Sequence, residues 1–385
     1  MSQNRSRSYI GQAQGHRPAW VEIDVAQLRQ NFKIINEDKP VNVQILTVVK
    51  DQAYGHGAAK VAKIAIESGC KYLAVATIDE ALELRRQDVT VPILVFGERT
   101  DEERKLCLEY GLACFVNDKT QADYYSQLAA SANKQTPVHV EVDTGLCRYG
   151  VHWTKAPSLI KHISGANNLF LEGIMSHFAM SDELDKSFAL QQLRRFQEVL
   201  AKMNRLDLRV TFRHMCNTGG FLDLPQAHFD LVRIGILPLG VYPSQVCRRI
   251  PGLKPVMSVK TQIAAIRELE TGDYVGYGMR YQAQSRRRIA VIPIGYGDGY
   301  PRVRNQGEVL IHGKRAAVIG GNAMDATMVD ITDIPECRLW DEVVLMGRQD
   351  DDEIDAHEIA KLKNSVSYDV LAGWRWRLPR VYLTP

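Results

Sequence analysis

The stretch ILTVVKDQAYGHG, residues 45–57, joins a short apolar run to a lysine, a tyrosine and two glycines. Apolar and β-branched residues in a run of this length, bounded by turn-forming residues, are typical of a buried β-strand. The lysine, Lys50, therefore stands at the carboxyl end of a predicted strand. The fold class and the purpose of this lysine both depend on whether the rest of the chain repeats the pattern.

The pattern recurs, with segments of helical spacing such as AAKVAKIAIESG between the apolar runs. Including the first, the runs lie at residues 45–49, 72–76, 93–97, 114–117, 138–142, 171–175, 212–216 and 231–235. Eight strands that alternate with helices over about 200 residues predict a (β/α)8 barrel, with a doubly wound open sheet as the alternative.

Beyond residue 245 the pattern changes to short β-type runs separated by turn residues, with few helical segments. We therefore predict a flexible tail over residues 1–16, a barrel over 17–245 and a mainly β domain over 246–385.

The overall composition is that of an ordinary globular protein. The chain has 385 residues, of which 45% are hydrophobic and 24% charged, and its formal net charge is only +3. A charge this small does not suggest a nucleic-acid or membrane partner. No apolar run approaches the length of a membrane-spanning helix, and the seven cysteines never form a CxxC motif. We expect a cytoplasmic protein with reduced thiols, most of them in the core.

The position of Lys50 has two interpretations. A charged residue can simply mark the point where a strand meets solvent. Barrel enzymes, however, hold their chemistry at the carboxyl ends of the strands, where a lysine can form a Schiff base with an aldehyde cofactor such as pyridoxal phosphate. The ends of the other strands help to decide between the two.

The fifth strand carries three polar residues on one face. In VHVEVD, His139, Glu141 and Asp143 alternate with valines, so they should point into the barrel while helices cover the valines. Charged groups enclosed there need partners, and Arg148 is a candidate. A buried ion pair without a catalytic role is the alternative.

Strands six, seven and eight end in further polar groups. The segment NTGG offers hydroxyl and backbone N–H donors that suit a phosphate. The residues concerned are His177 after strand six, His214, Asn217, Thr218 and Gly219 around strand seven, and Arg233 and Gly235 at strand eight. The glycine-rich GYGDGY, residues 295–300, lacks the GxGxxG spacing of a dinucleotide site.

Nearly the whole chain, from RPAWVEID at 17–24 to RLPRVYL at 377–383, resembles the alanine racemase family of pyridoxal-phosphate enzymes. The matching motifs occur in order along the chain. They are VVKDQAYGHG, VDTGLCRYGV, SHFA, HMCNTGG, AHFDLVRIGI, VGYGMRY, IPIGYGDGYP, AMDATMVDIT and LPRVY.

The resemblance implies that pyridoxal 5'-phosphate is bound through Lys50, which would also be the base for one substrate enantiomer. Tyr277, supplied by the other subunit of a homodimer, would be the second base, because racemisation needs a base on each face of the cofactor. The implied product is D-alanine for cell-wall peptidoglycan or for D-amino-acid metabolism.

The resemblance also implies roles for the surrounding residues. Arg148 would contact the cofactor's phenolic oxygen and the substrate carboxylate, and Arg233 would leave the pyridine nitrogen unprotonated. His177 would lie between Tyr277 and Arg233 and tune the phenol. The remaining implied contacts are Tyr54, Thr218, Gly235 and Ile236 to the phosphate, Asn217 beside it, Trp376 near the cofactor, and Met324 from the partner subunit to the substrate.

The chain departs from the family pattern at four positions. Glu141 stands where the family often has a carbamylated lysine, and we predict that it is the anion beside Arg148, through a shifted arginine or a bridging water. Thr218 replaces a serine, Ala323 a cysteine and Trp376 a tyrosine. These changes leave room for a racemase of broader specificity, acting on serine, lysine or other amino acids. A barrel decarboxylase and a cofactor-binding protein without turnover are further alternatives.

Overall fold

A computed structural model describes residues 16–384, and within them the eight predicted strands are present and parallel. Their bounds are β1 Gln44–Val48, β2 Tyr72–Val75, β3 Ile93–Val95, β4 Ala113–Phe115, β5 Thr136–Asp143, β6 Leu169–Met175, β7 Phe212–His214 and β8 Leu231–Ile234. In the sheet they occur in the order β8, β1, β2, β3, β4, β5, β6, β7. The predicted tail lies, apart from His16, outside the described residues.

The sheet closes into a barrel where its two end strands, β7 and β8, meet. β8 pairs with β1 from Leu231–Gln44 to Ile234–Thr47. β7 meets β8 through backbone hydrogen bonds from Asp230 N to Arg213 O, 3.1 Å, and from Arg233 N to Cys216 O, 3.0 Å. The predicted barrel is thus confirmed, and the carboxyl ends of its strands meet at one rim.

A helix follows each of the first seven strands. The bounds are α1 Ala58–Glu67, α2 Ile78–Arg86, α3 Asp101–Glu109, α4 Lys119–Ser131, α5 Ala156–Ser164, α6 Ser187–Arg205 and α7 Thr218–Asp223. After β8 the chain forms a 3-10 turn, Leu237–Leu239, and a short strand, Val151–His152, pairs with the end of β5. The helices bury apolar faces, such as that of Val61, Ile64 and Ala65 on α1.

Two helices begin with the same capping motif. On α2, Thr77 and Glu80 form a capping box, in which each side chain accepts a hydrogen bond from the other residue's backbone N–H. Thr100 and Glu103 form the same arrangement at the start of α3. These boxes satisfy N–H groups that a helix leaves without intrahelical partners.

A second compact unit is mainly β and comprises residues up to Gln30, Leu239–Val241 and Lys254 onward. The barrel unit is Asn31–Pro238 with Tyr242–Leu253, and the division near Gln30 falls inside the helix Val25–Asp38. The strand Ala19–Asp24 lies within residues 17–245, the range predicted for the barrel. In the structure it pairs with strands of the β unit.

The β unit contains sheets of seven, three and two strands. The largest has the order Lys314–Ala317, Glu308–Ile311, Glu342–Gln349, Met257–Gln262, Ala19–Asp24 and Arg380–Leu383, with Asp352–Ile354 paired to Glu342–Gln349. The three-stranded sheet consists of Ala265–Leu269, Arg287–Ile292 and Thr327–Asp330, and the two-stranded one of Tyr274–Val275 and Tyr281–Gln282. Two helices, Ala356–Lys363 and Ser367–Gly373, also belong to this unit.

All seven cysteines are free thiols, and six of them are buried in the core. Cys147 is the exposed one. Across residues 16–384, none of the helices is both long and apolar enough to cross a membrane.

Candidate active site

The candidate site occupies the rim of the barrel where the strands end. Lys50 comes two residues after β1, His177 two residues after β6, and Arg233 lies within β8. Because all eight strands are parallel, these positions lie at the same end of the barrel. The structure therefore brings Lys50, His177 and Arg233 to one rim, as the sequence pattern predicts.

The Lys50 side chain is half-buried at this rim. Burial lowers the pKa of its amine, the positive charge of Arg148 lowers it further, and the carboxylates of Glu80 and Asp51 oppose both effects. A lower pKa increases the neutral fraction of the amine near neutral pH, and the neutral amine is the form that attacks a carbonyl or accepts a proton.

Lys50 is followed by a left-handed turn. Asp51, Gln52, Ala53 and Tyr54 have φ values of 50°, 53°, 51° and 54°, which L-residues adopt only at a cost of about 1–2 kcal/mol each. Hydrogen bonds across the segment compensate, among them Gly57 N to Gln52 O at 2.7 Å. Strain of this kind persists only where the surroundings hold it, and it is often found at functional sites.

The turn brings the Tyr54 hydroxyl against Gly235, just beyond β8. A Cβ atom on Gly235 would lie 2.5 Å from Tyr54 Oη, so glycine is needed for this close approach. Tyr54 is buried, and burial raises the pKa of its phenol, so the group is a neutral hydrogen-bond donor. Ile236, which follows Gly235, is fully buried. The Tyr54 hydroxyl is thus packed against the backbone at Gly235.

The Arg233 guanidinium is 3% exposed and is held by four acceptors. It donates to Ser176 O at 2.9 Å, Met215 O at 3.1 Å, His177 Nδ1 at 3.1 Å and His214 Nδ1 at 3.2 Å. Burial lowers the pKa of Arg233 to about 10, which still leaves it charged at neutral pH. Burial and the charge of Arg233 hold the pKa values of His177 and His214 well below their usual range. Both histidines are therefore neutral and accept through Nδ1.

A buried chain of hydrogen bonds continues from His214 into the barrel. His214 Nε2 lies 3.0 Å from His139 Nδ1, and His139 Nε2 lies 3.1 Å from Glu172 Oε2, which also accepts from Tyr72 Oη at 2.7 Å. Because Arg233 can only donate, the protons must point from His214 to His139 and from His139 to Glu172. His139 lies inside the barrel as the alternation in β5 predicts. Glu172 was missed, although it is the only charged residue in LEGIM.

Asn217 caps α7 from the end of β7. Its side-chain oxygen accepts from Gly220 N at 2.9 Å and from Ser181 Oγ at 2.7 Å. The next residue, Thr218, is buried at the first position of the helix. The cap explains why an asparagine stands here, and it fixes the start of the segment that the sequence predicts as a phosphate contact.

Glu141 and Arg148 are not joined by a direct ion pair or hydrogen bond within residues 16–384. Glu141 is 4% exposed, and burial raises the pKa of its carboxyl more than the charge of Arg148 lowers it. Glu141 lies in β5 and Arg148 in the loop that follows, and this loop folds back on the strand, since a Cβ on Gly150 would lie 2.9 Å from Glu141 Cγ. Arg148 is exposed. The predicted role of Glu141 as an anion beside Arg148 stays a prediction.

In the β unit, Tyr277 lies on an exposed turn. Its side chain is 71% exposed, between Gly276 and Gly278, whose φ values are 74° and 76°. Met324 is also exposed. Backbone hydrogen bonds join the GYGDGY segment to the loop that carries Met324: Tyr296 N donates to Ala323 O at 3.2 Å, and Gly297 N donates to Met324 O at 2.8 Å. The role of this glycine-rich motif in the structure is therefore to hold the loop at Ala323 and Met324 in place.

Trp376 is 54% exposed in the same unit and stacks on Arg380, whose Cζ lies 4.1 Å from the ring centroid. The Arg380 guanidinium also donates to Arg375 O at 2.7 Å and Leu378 O at 2.8 Å. The indole thus rests on a cation that the backbone holds in place.

An eight-stranded parallel barrel with an amine, a phenol and a buried arginine at the carboxyl rim is the arrangement typical of barrel enzymes that bind a small ligand there. Residues 23–243 match the family model for the alanine racemase N-terminal domain, and residues 256–382 match that for its C-terminal domain. The chain belongs to the alanine racemase family. The predicted family and enzyme class, an isomerase, are confirmed.

Individual relatives match over nearly the full length. An alanine racemase from Halothermothrix orenii is 39% identical over 95% of this chain and 97% of its own, and one from Desulfovibrio desulfuricans is 36% identical over 95% and 98%. The crystal structure of alanine racemase from Bacillus anthracis with bound L-Ala-P has a TM-score of 0.89 at 34% identity, covering 97% of this chain and 96% of its own. The Clostridium difficile enzyme has a TM-score of 0.91 at 32% identity, with 96% of both chains covered.

The Glu172 carboxylate provides a test of the buried chain. Burial raises its pKa, but the hydrogen bonds from His139 and Tyr72 more than offset this and hold it below its usual range. The stabilisation is therefore present at neutral pH and is lost as the pH falls through the depressed folded-state pKa, below about 4.3. We expect Glu172→Gln to lower the free energy of unfolding at pH 7 by about 1–3 kcal/mol and to flatten its dependence on pH below 5.

Urea unfolding at pH 7 and pH 4 measures both effects, with Glu183→Gln as an exposed control. Equal unfolding curves for Glu172→Gln and the native protein at both pH values would contradict the predicted role of the carboxylate.

Proposed function

We propose that this protein is a cytoplasmic homodimer that interconverts L- and D-alanine with pyridoxal 5'-phosphate. The observation that carries the proposal is the set of three groups at one barrel rim: the half-buried Lys50 amine, the Tyr54 hydroxyl against Gly235, and the buried Arg233 cation. Membership of a family whose relatives are named alanine racemase supports alanine as the substrate.

The residues present fit this cofactor. An aldehyde needs a neutral amine, and burial lowers the pKa of Lys50 in that direction. A phosphate needs hydrogen-bond donors and close backbone approach, which Tyr54 and Gly235 offer at a place where a Cβ atom would collide with the phenol. Thr218 and Ile236 complete the proposed phosphate contacts, with Asn217 beside them.

When bound, the cofactor supplies an electron-withdrawing ring that stabilises the negative charge left as the substrate Cα loses its proton. Lys50 Nζ anchors the cofactor and takes or returns the proton on one face. Tyr277 of the partner subunit does the same on the other face. Two bases on opposite faces are required because the proton leaves one side of Cα and returns to the other.

Arg233 sets the electronics of the site. It is buried and stays protonated at neutral pH, so it would donate a hydrogen bond to a ring nitrogen placed against it without transferring the proton, and that nitrogen would stay unprotonated. An unprotonated ring is a weaker electron sink, which disfavours reactions that need a long-lived carbanion. This choice suits racemisation better than decarboxylation, for which related barrels pair the nitrogen with a carboxylate.

The homodimer is proposed from the β unit considered by itself. Tyr277 and Met324 are both more than half exposed, and neither position suits a side chain that serves only the core. A second copy of the chain would cover them and receive Tyr277 as a base and Met324 as a substrate contact. A protein that only binds the cofactor would have no use for a base on this turn.

The substrate range has a second candidate. Trp376, fixed on Arg380, is bulkier than the family's tyrosine and lacks its hydroxyl, and it is proposed to lie near the cofactor. A racemase that also accepts serine or lysine therefore remains an alternative. Incubation with a panel of enantiopure amino acids, followed by chiral analysis of the products, distinguishes the two candidates. Racemisation of alanine alone supports an alanine racemase, and racemisation of serine or lysine as well supports the broader specificity.

Lys50→Ala should abolish the visible absorbance of the bound cofactor and racemisation in both directions, because no covalent anchor remains. Absorbance spectra of the purified protein and chiral chromatography of alanine measure the two effects. A variant that retained both would refute the assignment of Lys50.

Tyr277→Phe should retain bound cofactor but lose most proton exchange on one face, since only the hydroxyl is removed. The measurement is deuterium incorporation from heavy water into L- and D-alanine separately. Tyr274→Phe, at another exposed tyrosine of the β unit, is the control. Near-native exchange in both enantiomers would remove Tyr277 from the mechanism.

Glu141→Gln preserves shape and removes a buried negative charge. If this carboxylate orients Arg148, we expect kcat/KM to fall about tenfold, equivalent to about 1.4 kcal/mol, with the cofactor still bound. Activity of the native protein should not depend on bicarbonate, because a glutamate needs no carbon dioxide to carry charge. Steady-state kinetics with and without bicarbonate test this, and native-like constants for the variant would show that Glu141 only fills the barrel.

A further inference from the structure

Glu80 connects two neighbouring strand ends of the barrel rim. It lies in the first turn of α2, where one carboxylate oxygen, Oε2, accepts from Thr77 N at 3.1 Å and Ala76 N at 2.8 Å. These contacts belong to the capping box after β2. The other oxygen, Oε1, accepts from Asp51 N at 2.6 Å, after β1. One side chain thus serves the start of a helix and the residue that follows Lys50.

The Asp51 N–H is the first of the left-handed turn. Four consecutive residues with φ near 50° give up the favourable right-handed geometry, so the turn needs support from outside itself. A charge-assisted hydrogen bond to a carboxylate is among the stronger contacts available to a backbone N–H. Glu80 supplies it directly beside Lys50, where a shift of the backbone would move the amine.

Glu80 also acts on the charge state of Lys50. Burial and Arg148 favour the neutral amine, whereas Glu80 is the larger of the two carboxylate influences that favour the ammonium form. The amine has to gain and lose a proton during turnover, so neither form can be strongly excluded. The negative charge of Glu80 raises the pKa of the Lys50 amine, whereas the positive charge of Arg148 lowers it.

We propose that Glu80 is a positioning residue for Lys50. The Glu80 carboxylate holds the backbone at Asp51 and provides a fixed negative charge near the Lys50 amine. The inference rests on the proposed function of Lys50 as cofactor anchor and base. It assigns Glu80 a role in the site in addition to capping α2.

The chain contains a matched control for the capping role. Glu103 occupies the same position in the capping box of α3, where Thr100 N donates to its Oε2 at 2.9 Å. Its Oε1 accepts from Arg99 Nη1 at 2.9 Å and not from the lysine turn. Glu103 is not among the groups that shift the Lys50 pKa. Glu103→Gln therefore weakens a helix cap of the same design without touching the segment after Lys50.

The experiment compares Glu80→Gln and Glu103→Gln in the full-length chain. In cofactor-free protein, the acetylation of Lys50 by acetic anhydride is followed across pH by mass spectrometry of its peptide. We expect the pH at which Lys50 acetylation is half-maximal, the labelling midpoint, to be lower in Glu80→Gln than in the native protein. In Glu103→Gln the labelling midpoint should match that of the native protein. In the loaded enzyme we expect kcat for alanine to fall about tenfold in Glu80→Gln, the effect of a displaced catalytic group, with KM within about twofold.

Glu80→Asp separates the two parts of the proposal, because it preserves the charge and shortens the reach to Asp51 N. We expect it to retain the native labelling midpoint better than Glu80→Gln does, while still losing turnover. Thr77→Val weakens the same cap and leaves the carboxylate in place, so it should leave the midpoint unchanged.

A native labelling midpoint in Glu80→Gln, with a loss of thermal stability equal to that of Glu103→Gln, would reduce Glu80 to a helix cap and overturn the inference. A native protein without racemase activity, but with the shifted midpoint in Glu80→Gln, would refute the proposed function and support the Glu80 contact. The labelling result thus stands independently of turnover.

Discussion

The burial of the Arg233 guanidinium constrains the rest of the barrel rim more than any other feature. A cation with 3% exposure needs acceptors on every side, and it finds them in two backbone carbonyls and two imidazole nitrogens. Both histidines must therefore be neutral, which fixes the tautomer of His214 and the direction of the hydrogen bonds that follow it. An arginine at this place determines the protonation of groups that it does not touch.

The barrel and much of its rim could be predicted from the sequence because they depend on local patterns. Each apolar run is short, β-branched and bounded by turns, and in parallel strands both faces are buried, so the runs read as continuous apolar segments. Lys50, His177 and Arg233 could be recognised as rim residues because parallel strands present their carboxyl ends together. The alternation in β5 likewise placed His139 in the interior.

What sequence could not provide are contacts set by distant segments. Glu172 accepts hydrogen bonds from His139 and Tyr72, which lie on other strands, and Glu80, after β2, accepts one from Asp51 N, after β1. The left-handed turn is invisible in the sequence, because Asp, Gln, Ala and Tyr have no common preference for positive φ. The absence of an ion pair between Glu141 and Arg148 could not be predicted for a similar reason. Their spacing in the sequence indicates only that the two residues are near each other, whereas the conformation of the loop after β5 determines whether their side chains are in contact.

The strand Ala19–Asp24 has a consequence for the order in which the molecule is made. Its partners in the sheet are Met257–Gln262 and Arg380–Leu383, so this strand pairs only with segments that are translated much later. The barrel strands, by contrast, all lie between residues 44 and 234 and pair mainly with their neighbours in sequence. The largest sheet of the β unit can therefore form in full only after Arg380–Leu383 has been translated, and its pairings span far more of the chain than those of the barrel.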